Sequence, residues 1–587
     1  MCGITGFIDR AGNLQSASKR LLKTMTEAIE HRGPDESAFY LDENCGLGMR
    51  RLAIQDLTPG LYPFISRDGN RQLIFNGEIY NFPELKKELE GLGYNFKSNC
   101  DAEGIIHGYE EWGVDVLNKL RGMFAIALWD KKEEKLFLAR DRIGIKPLYY
   151  MNTPDAFYFS SEAKSLYRVA PPTLDLAKAS TLLGYMYLPD SEASLVNNIK
   201  KLPPATYALV SKDSFEMKSY WELNSVPETN LSFADSVDKL DELLNEAVRQ
   251  HLLSDVPLGV LLSGGLDSSL LTAIITKNKL QNSINTYTAK FDHKFNESDN
   301  AFRVAKGLGT NHTEVTIDSA DLNKNIEKHI HILDDLTTLD GGIFSMQILT
   351  KKIKKKGITV LLLGEGADEI FGGYSWFGLS QLPFSLLPKF GRNSLYYYAN
   401  SRNVSKNIFN YITYENKLHA KQRDVFRDIT LREVESQLPN HLLMKVDKGS
   451  MESSTEARVP YLDHKLVEFV YSLPRKYKLK GEIFNFSSAN EKLILREVAK
   501  RYLPTEVVTR KKRGFFLPID DVVQQDITKV RDYAFSSDAI AVQLLGKTFV
   551  EKLFEKSDHK VFQMQKEYFL WRIFLLEVWA KCYEVRV

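Results

Sequence analysis

The feature that most limits the fold of this 587-residue chain is a short apolar run, GVLL (259–262), that opens at once onto SGGLDSS (263–269) and then an apolar segment, SLLTAIIT. With turn signals at its end, the run reads as a buried strand followed directly by a helix. Strand, glycine-rich turn and helix N-terminus in this order form an arrangement that cradles phosphate. Ser263, Ser268 and Ser269 add hydroxyl donors, and Asp267 is a candidate ligand for Mg2+. The turn lacks the Gly-Lys-Ser/Thr of a Walker loop. The pattern recurs at TYTAKF (286–291) and TVLLLGEGADEIFGGY (359–374), with helical spacing between. Such alternation predicts a parallel, doubly wound sheet with a nucleotide at the carboxyl ends of its strands. The third loop carries Glu365, Asp368 and Glu369, so Asp267 and Asp368 together are candidates to hold Mg2+ against a pyrophosphate. Asp368 also reads as a plain helix cap.

The first 210 residues are patterned differently. Strand-like runs dominate: GITGFI (3–8), QLIFNGEIYNF (72–82) and three more between Phe124 and Tyr150. Helices are expected over 18–30 and 83–92, and the balance suggests an α+β sandwich. The 72–82 strand is expected to break at Asn76-Gly77, a turn signal. Removal of Met1 would make Cys2 the N-terminus, placing a thiol (pKa about 8.5) and an amine (about 8) on one residue. Asn76 and Gly77 would then have a second use, as a side-chain and a backbone donor to an oxyanion. Arg51 and Asp101 have the charges to hold the carboxylate and ammonium of an amino acid.

MCGI, HRGPD (31–35), NGEIYN (76–81) and DRIGIKPLYY (141–150), in that order, resemble the class II glutamine amidotransferase domain over roughly residues 2–205. The resemblance implies the four-layer sandwich of N-terminal-nucleophile hydrolases. It implies that Cys2 attacks the glutamine amide, that Asn76 and Gly77 stabilise the oxyanion, and that Arg51, Asn76, Glu78 and Asp101 bind glutamine. Tyr62, where Gln often precedes Pro, and Ala38, near a usual Gly, depart from the pattern. Both are expected to lie clear of the nucleophile and oxyanion hole.

SGGLDSS, LGEGADEIFGGY (363–374) and EARVPYLDH (456–464) resemble the synthetase domain of glutamine-hydrolysing asparagine synthetase, a pyrophosphate-loop ATPase. This implies ATP at Leu262, Ser263, Gly264, Gly265, Asp267, Ser268, Ser269, Ala289, Leu363 and Gly364, with magnesium at Asp267 and Asp368. Glu365 would assist formation of an aspartyl-adenylate, with Lys445 and Lys512 as cationic groups near it. Leu363 replaces a usual Ser or Thr, and Asp340, in DLTTLDGG (335–342), would repel an aspartate carboxylate if it faced the pocket.

The expected domains are a glutaminase at 2–210, a linker at 211–233 and an ATP-dependent synthetase at 234–587. The expected reaction makes asparagine from aspartate, glutamine and ATP. Alternatives are an amidotransferase acting on another carboxylate (a sugar acid, peptide or natural-product intermediate) and a non-catalytic regulatory protein on the same scaffold. A formal net charge of +1 favours neither nucleic acid nor an anionic membrane. Four widely spaced cysteines, Cys2, Cys45, Cys100 and Cys582, offer no disulfide or zinc template and suit the cytoplasm. No apolar run reaches spanning length, and no signal sequence opens the chain. The family resemblance admits a homodimer. The KKIKKK run (351–356) reads as a solvated helix face, and 376–435 as a helical insertion or core packing.

Overall fold

The computed structural model describes residues 2–12, 18–291, 296–317, 326–374, 376–377, 424–480, 491–510, 519–558 and 560–587. Two antiparallel six-stranded sheets form the N-terminal part. One runs Lys200–Lys201, Tyr149–Asn152, Ala156–Ser160, Cys2–Asp9, Cys45–Arg51, Glu36–Leu41 in spatial order. The other runs Phe215–Ser219, Thr206–Val210, Lys135–Arg140, Gly122–Asp130, Arg71–Ile79, Phe64–Ile65. Strand alternation builds four layers from these. Ile4, Met49, Ile74, Ala125 and Phe159 fill the space between the sheets. Phe7 faces the other way, onto Leu22 and Met25 of the helix Ser18–Glu27. Phe75, Phe124 and Ile126 turn outward onto the helices Phe82–Gly91 and Asp101–Trp112.

Two expectations change here. The strand Arg71–Ile79 runs unbroken through Asn76-Gly77, which pair with Ala125 and Phe124. The glycine serves close approach, not a turn: a Cβ on Gly77 would lie 2.1 Å from the Met123 carbonyl oxygen. The expected linker is also partly structured, because Phe215–Ser219 closes a hairpin with Thr206–Val210.

The C-terminal part is built on a parallel five-stranded sheet in the order Asn311–Ile317, Asn285–Phe291, Leu258–Leu261, Val360–Leu362, Glu456–Arg458. In chain order this is 3-2-1-4-5, so the topological switch point lies between Leu258–Leu261 and Val360–Leu362. These are the two strands that end in SGGLDSS and GEGADE. The helix Phe233–His251 packs Val237, Leu240, Leu244 and Val248, at helical spacing, into the same core. Lys351 and Lys352 are exposed on the helix Gly342–Lys354. Of the segment 376–435, residues 378–423 lie outside the described residues; in the remainder Phe377 packs on Phe426. Lys512 also lies outside them.

The two parts share buried contacts. Arg121 pairs with Asp463 through two hydrogen bonds of 2.6 and 2.9 Å. Arg32 lies 2.9 Å from Asp447, Lys201 donates to Asn440 at 2.6 Å, and Ser454 donates to the His31 carbonyl at 2.7 Å. Among the described residues no helix is long and apolar enough to cross a membrane.

Candidate active sites

Cys2 opens the central strand Cys2–Asp9 of the first sheet and is 6% exposed. Its nitrogen donates to Asn76 Oδ1 at 2.9 Å. That bond fixes the Asn76 amide, so Nδ2 points elsewhere; Nδ2 is buried and meets no hydrogen-bond acceptor among the described residues. A buried amide donor without an acceptor is costly in a resting structure and useful where negative charge develops. The Gly77 amide follows from the strand period. Tyr80 donates to Arg121 across the ladder at 2.7 Å, whereas Ile79 donates away from it, to Asp101 Oδ2 at 2.7 Å. Gly77, two residues before Ile79, directs its N–H to that same side. Burial pushes the Cys2 thiol up, while the N-terminal amine, the Leu52 N–H and Arg51 pull it back.

The glutamine-binding candidates surround this pair. Arg51 donates to the Thr58 carbonyl at 2.6 Å and to Asp56, and lies 3.2 Å from Glu36. Its guanidinium sits 5.6 Å from the Tyr62 ring centroid, so Tyr62 adjoins the site more closely than its sequence position suggested. Ala38 belongs to the same apolar cluster as Cys2. Glu78 accepts from Gln55 and lies 3.2 Å from Arg458, a residue of the parallel sheet. Burial raises both Glu78 and Asp101, which share this pocket with Glu456.

At the second site, the SGGLDSS loop ends the strand Leu258–Leu261, and Leu266–Lys277 follows as a helix. Ser263 N and Oγ meet Ser268 Oγ at 3.1 and 3.0 Å, and Ser269 Oγ is buried with no partner among the described residues. Leu262 and Ala289 are buried beside the loop in one core cluster with Leu363. A Cβ on Gly364 would lie 3.0 Å from Ser268 N and 3.2 Å from Asp267 Cβ, so the two loops touch.

Lys492, which sequence reasoning missed, joins Asp267 to Asp368. Its Nζ lies 2.8 Å from Asp267 Oδ2 and 2.6 Å from Asp368 Oδ1. Burial opposes its charge, but the two carboxylates outweigh that and raise it. Gly373 makes room for this: a Cβ there would lie 2.0 Å from Asp368 Oδ1 and 2.2 Å from Lys492 Cε. Two carboxylates converging on one cation fit a site that holds a divalent ion with phosphate oxygens. Among the described residues no cluster of three or more His, Cys, Asp or Glu forms a protein-only metal site. Two further bonds hold the loop: Arg510 donates to the Gly264 carbonyl at 2.6 Å, and Tyr461, within EARVPYLDH, donates to the Asp267 carbonyl at 3.0 Å.

Glu365 lies 3.5 Å from Lys445 Nζ, and Lys445 lies 3.8 Å from Asp340. Asp340 therefore does face the Glu365 region, but with its charge met by Lys445, 3.8 Å away, and with the His441 ring at the same distance. Burial alone would raise the Asp340 carboxyl; Lys445, His441 and the Gly342 N–H outweigh it and lower it.

Comparison with known proteins matches both halves. The family model "Glutamine amidotransferase domain" covers residues 1–221 and "Asparagine synthase" covers residues 239–581. Glutamine-hydrolyzing asparagine synthetase 1 of Bacillus subtilis (strain 168) is 30% identical, over 99% of this chain and 96% of its own length. Synthetase 3 of the same organism is 31% identical over 88% and 87%. Asparagine synthetase B of Escherichia coli (strain K12) is 30% identical over 88% and 82%. With an antiparallel sandwich carrying Cys2 and Asn76 joined to a parallel sheet carrying SGGLDSS, the chain belongs to the family of glutamine-hydrolysing asparagine synthetases.

Proposed function

We propose that the protein makes asparagine from aspartate, glutamine and ATP, releasing glutamate, AMP and pyrophosphate. The observation that carries the glutaminase half is the Cys2–Asn76 bond, which leaves Asn76 Nδ2 buried and unspent beside the nucleophile. Once Met1 is removed, the nitrogen of that bond is the α-amine. It takes the thiol proton as sulfur attacks the glutamine carboxamide carbon, and returns it to the leaving ammonia. Asn76 Nδ2 and Gly77 N–H meet the oxyanion; water then cleaves the thioester to glutamate. Arg51 takes the glutamine carboxylate, and Glu78 and Asp101 its ammonium.

In the second half the aspartate side-chain carboxylate attacks the α-phosphorus of ATP, and pyrophosphate leaves. The Ser263, Ser268 and Ser269 hydroxyls and the loop N–H groups hold the phosphates. Asp267 and Asp368 are the residues that would hold Mg2+, which supplies charge neutralisation for the departing pyrophosphate. Glu365, paired with Lys445, assists formation of the aspartyl-adenylate; ammonia then attacks the acyl carbon and AMP leaves. Lys445 balances both Glu365 and Asp340, so the aspartate pocket is not dominated by repulsion from Asp340. We assign the glutaminase to residues 2–210 with the hairpin strand Phe215–Ser219, the connection to the rest of 211–233 and the synthetase to 234–587. The reading extends to a cytoplasmic protein and a homodimer.

The test is aspartate-dependent pyrophosphate release in native protein and Cys2→Ala, with glutamine or ammonia as donor. Cys2→Ala should lose the glutamine-driven reaction and keep the ammonia-driven one. No release with saturating aspartate, but release with another carboxylic acid, would reject asparagine synthesis.

A further inference from the structure

The segment Glu456–Asp463 touches both sites at once. As the last strand of the parallel sheet, Glu456–Arg458 lies beside Val360–Leu362, and the Arg458 carbonyl accepts from Leu363 N at 2.9 Å, at the start of the Gly364-Glu365 loop. Tyr461 holds the Asp267 carbonyl. Asp463 grips Arg121, next to the strand that pairs with Asn76–Glu78.

The Arg458 side chain leaves this sheet and enters the glutaminase half. It is fully buried, and its guanidinium is held from behind. Nε donates to Glu456 at 2.5 Å, and Nη1 donates to the carbonyls of His251 and Leu253 at 2.8 and 2.6 Å. That leaves Nη2, which lies 3.2 Å from Glu78 Oε2 and makes no hydrogen bond among the described residues. The contact is thus an ion pair rather than an aligned hydrogen bond, on the same Glu78 oxygen that accepts from Gln55. The other groups facing Glu78 are Gln55, which donates to it, and Asp101 and Glu456. Arg458 is the fixed guanidinium among them.

We propose that Arg458 is a positioning residue for the glutamine site, supplied by the other half of the chain, which pairs with and aims the Glu78 carboxylate at the substrate ammonium. The inference rests on Glu78 being a glutamine-binding residue. It follows that glutamine capture depends on how the Glu456–Asp463 segment sits against the two nucleotide loops.

The experiment uses the full chain with E78Q, R458K and the double variant E78Q/R458K, measuring glutaminase KM and kcat separately. A lysine keeps the buried charge that R458M would lose at the risk of unfolding, but one Nζ cannot replace four guanidinium contacts at once. Weakening one charged contact to the substrate-binding carboxylate is expected to raise the glutamine KM about tenfold in R458K, with kcat within about twofold. Because Arg458 acts through Glu78, R458K should add less than about twofold to KM in the E78Q background. A raised KM in E78Q with an unchanged KM in R458K overturns the inference and leaves the Glu78 assignment standing. An unchanged KM in E78Q removes that assignment and the inference with it. Equal proportional losses of glutaminase kcat and ammonia-dependent synthesis in R458K would show a general structural role and overturn the proposal.

Discussion

Replacing Asn76 by alanine separates two uses of one side chain. Oδ1 accepts from the Cys2 nitrogen at 2.9 Å, and Nδ2 is buried without an acceptor. Losing the acceptor orphans a buried donor, at a cost of about 1–3 kcal/mol in stability. Losing Nδ2 removes one of two oxyanion donors, which costs about 2.7–4 kcal/mol in the transition state, or about 10²–10³ in kcat. The second figure exceeds the first and appears only in glutamine hydrolysis. Glutamate release should therefore fall by about 10²–10³ in kcat, while ammonia-dependent synthesis persists in protein that is still folded at the assay temperature. The measurement pairs steady-state glutamate release with a thermal melt of the same sample. A kcat within about threefold of native, with the expected loss of melting temperature, would refute the oxyanion role and leave Asn76 as a structural acceptor.

Lys492→Met should bring Asp267 and Asp368 together without their shared cation, a repulsion of about 4 kcal/mol at 4 Å and an effective dielectric of 20. Ammonia-dependent synthesis should collapse while glutamine hydrolysis continues. Mn2+, measured by calorimetry without nucleotide, should bind the variant and not the native chain; equal binding to both would reject the internal-cation reading. Glu577 is 5% exposed, accepts from Ala541 N at 2.7 Å, and is pushed up by burial to about 7. Its folded pKa lies above the unfolded value of about 4.5, so folding takes up a proton there and the group's contribution is fullest below about pH 4.5 and lost as pH rises through about 7. Glu577→Gln cannot ionise, so its melting temperature relative to native should rise between pH 5 and pH 8, by up to about 3 kcal/mol of stability; a difference that does not change with pH would refute this.

The parts legible in the sequence were those where one short stretch carries its own physics. GVLLSGGLDSS announces a strand, a turn and a helix start within eleven residues, and the structure delivers the sheet and its switch point there. The pairing of Asn76 with Cys2 was legible only as a role, since Asn-Gly signals a turn and nothing local reveals that the Met123 backbone presses against Gly77. Lys492 was not legible, because its meaning lies in two carboxylates 225 and 124 positions upstream; Gly373, which makes room for it, looks like any loop glycine. Asp340 was read as a repulsive charge because its partners, His441 and Lys445, stand about a hundred residues further on. Charges that are neutralised at long range look unpaired in one dimension.

The contacts Arg121–Asp463, Arg32–Asp447, Lys201–Asn440 and Ser454–His31 join residues separated by hundreds of positions, and every one of them bypasses the exposed stretch around residues 227–235. Covalent continuity through that stretch is therefore not what keeps the halves in register. A protease that cuts there would sever the chain and leave one particle, with the arginine from the second fragment still seated against the glutamate of the first. Two bands on a denaturing gel and a single peak on a sizing column would then describe the same intact molecule.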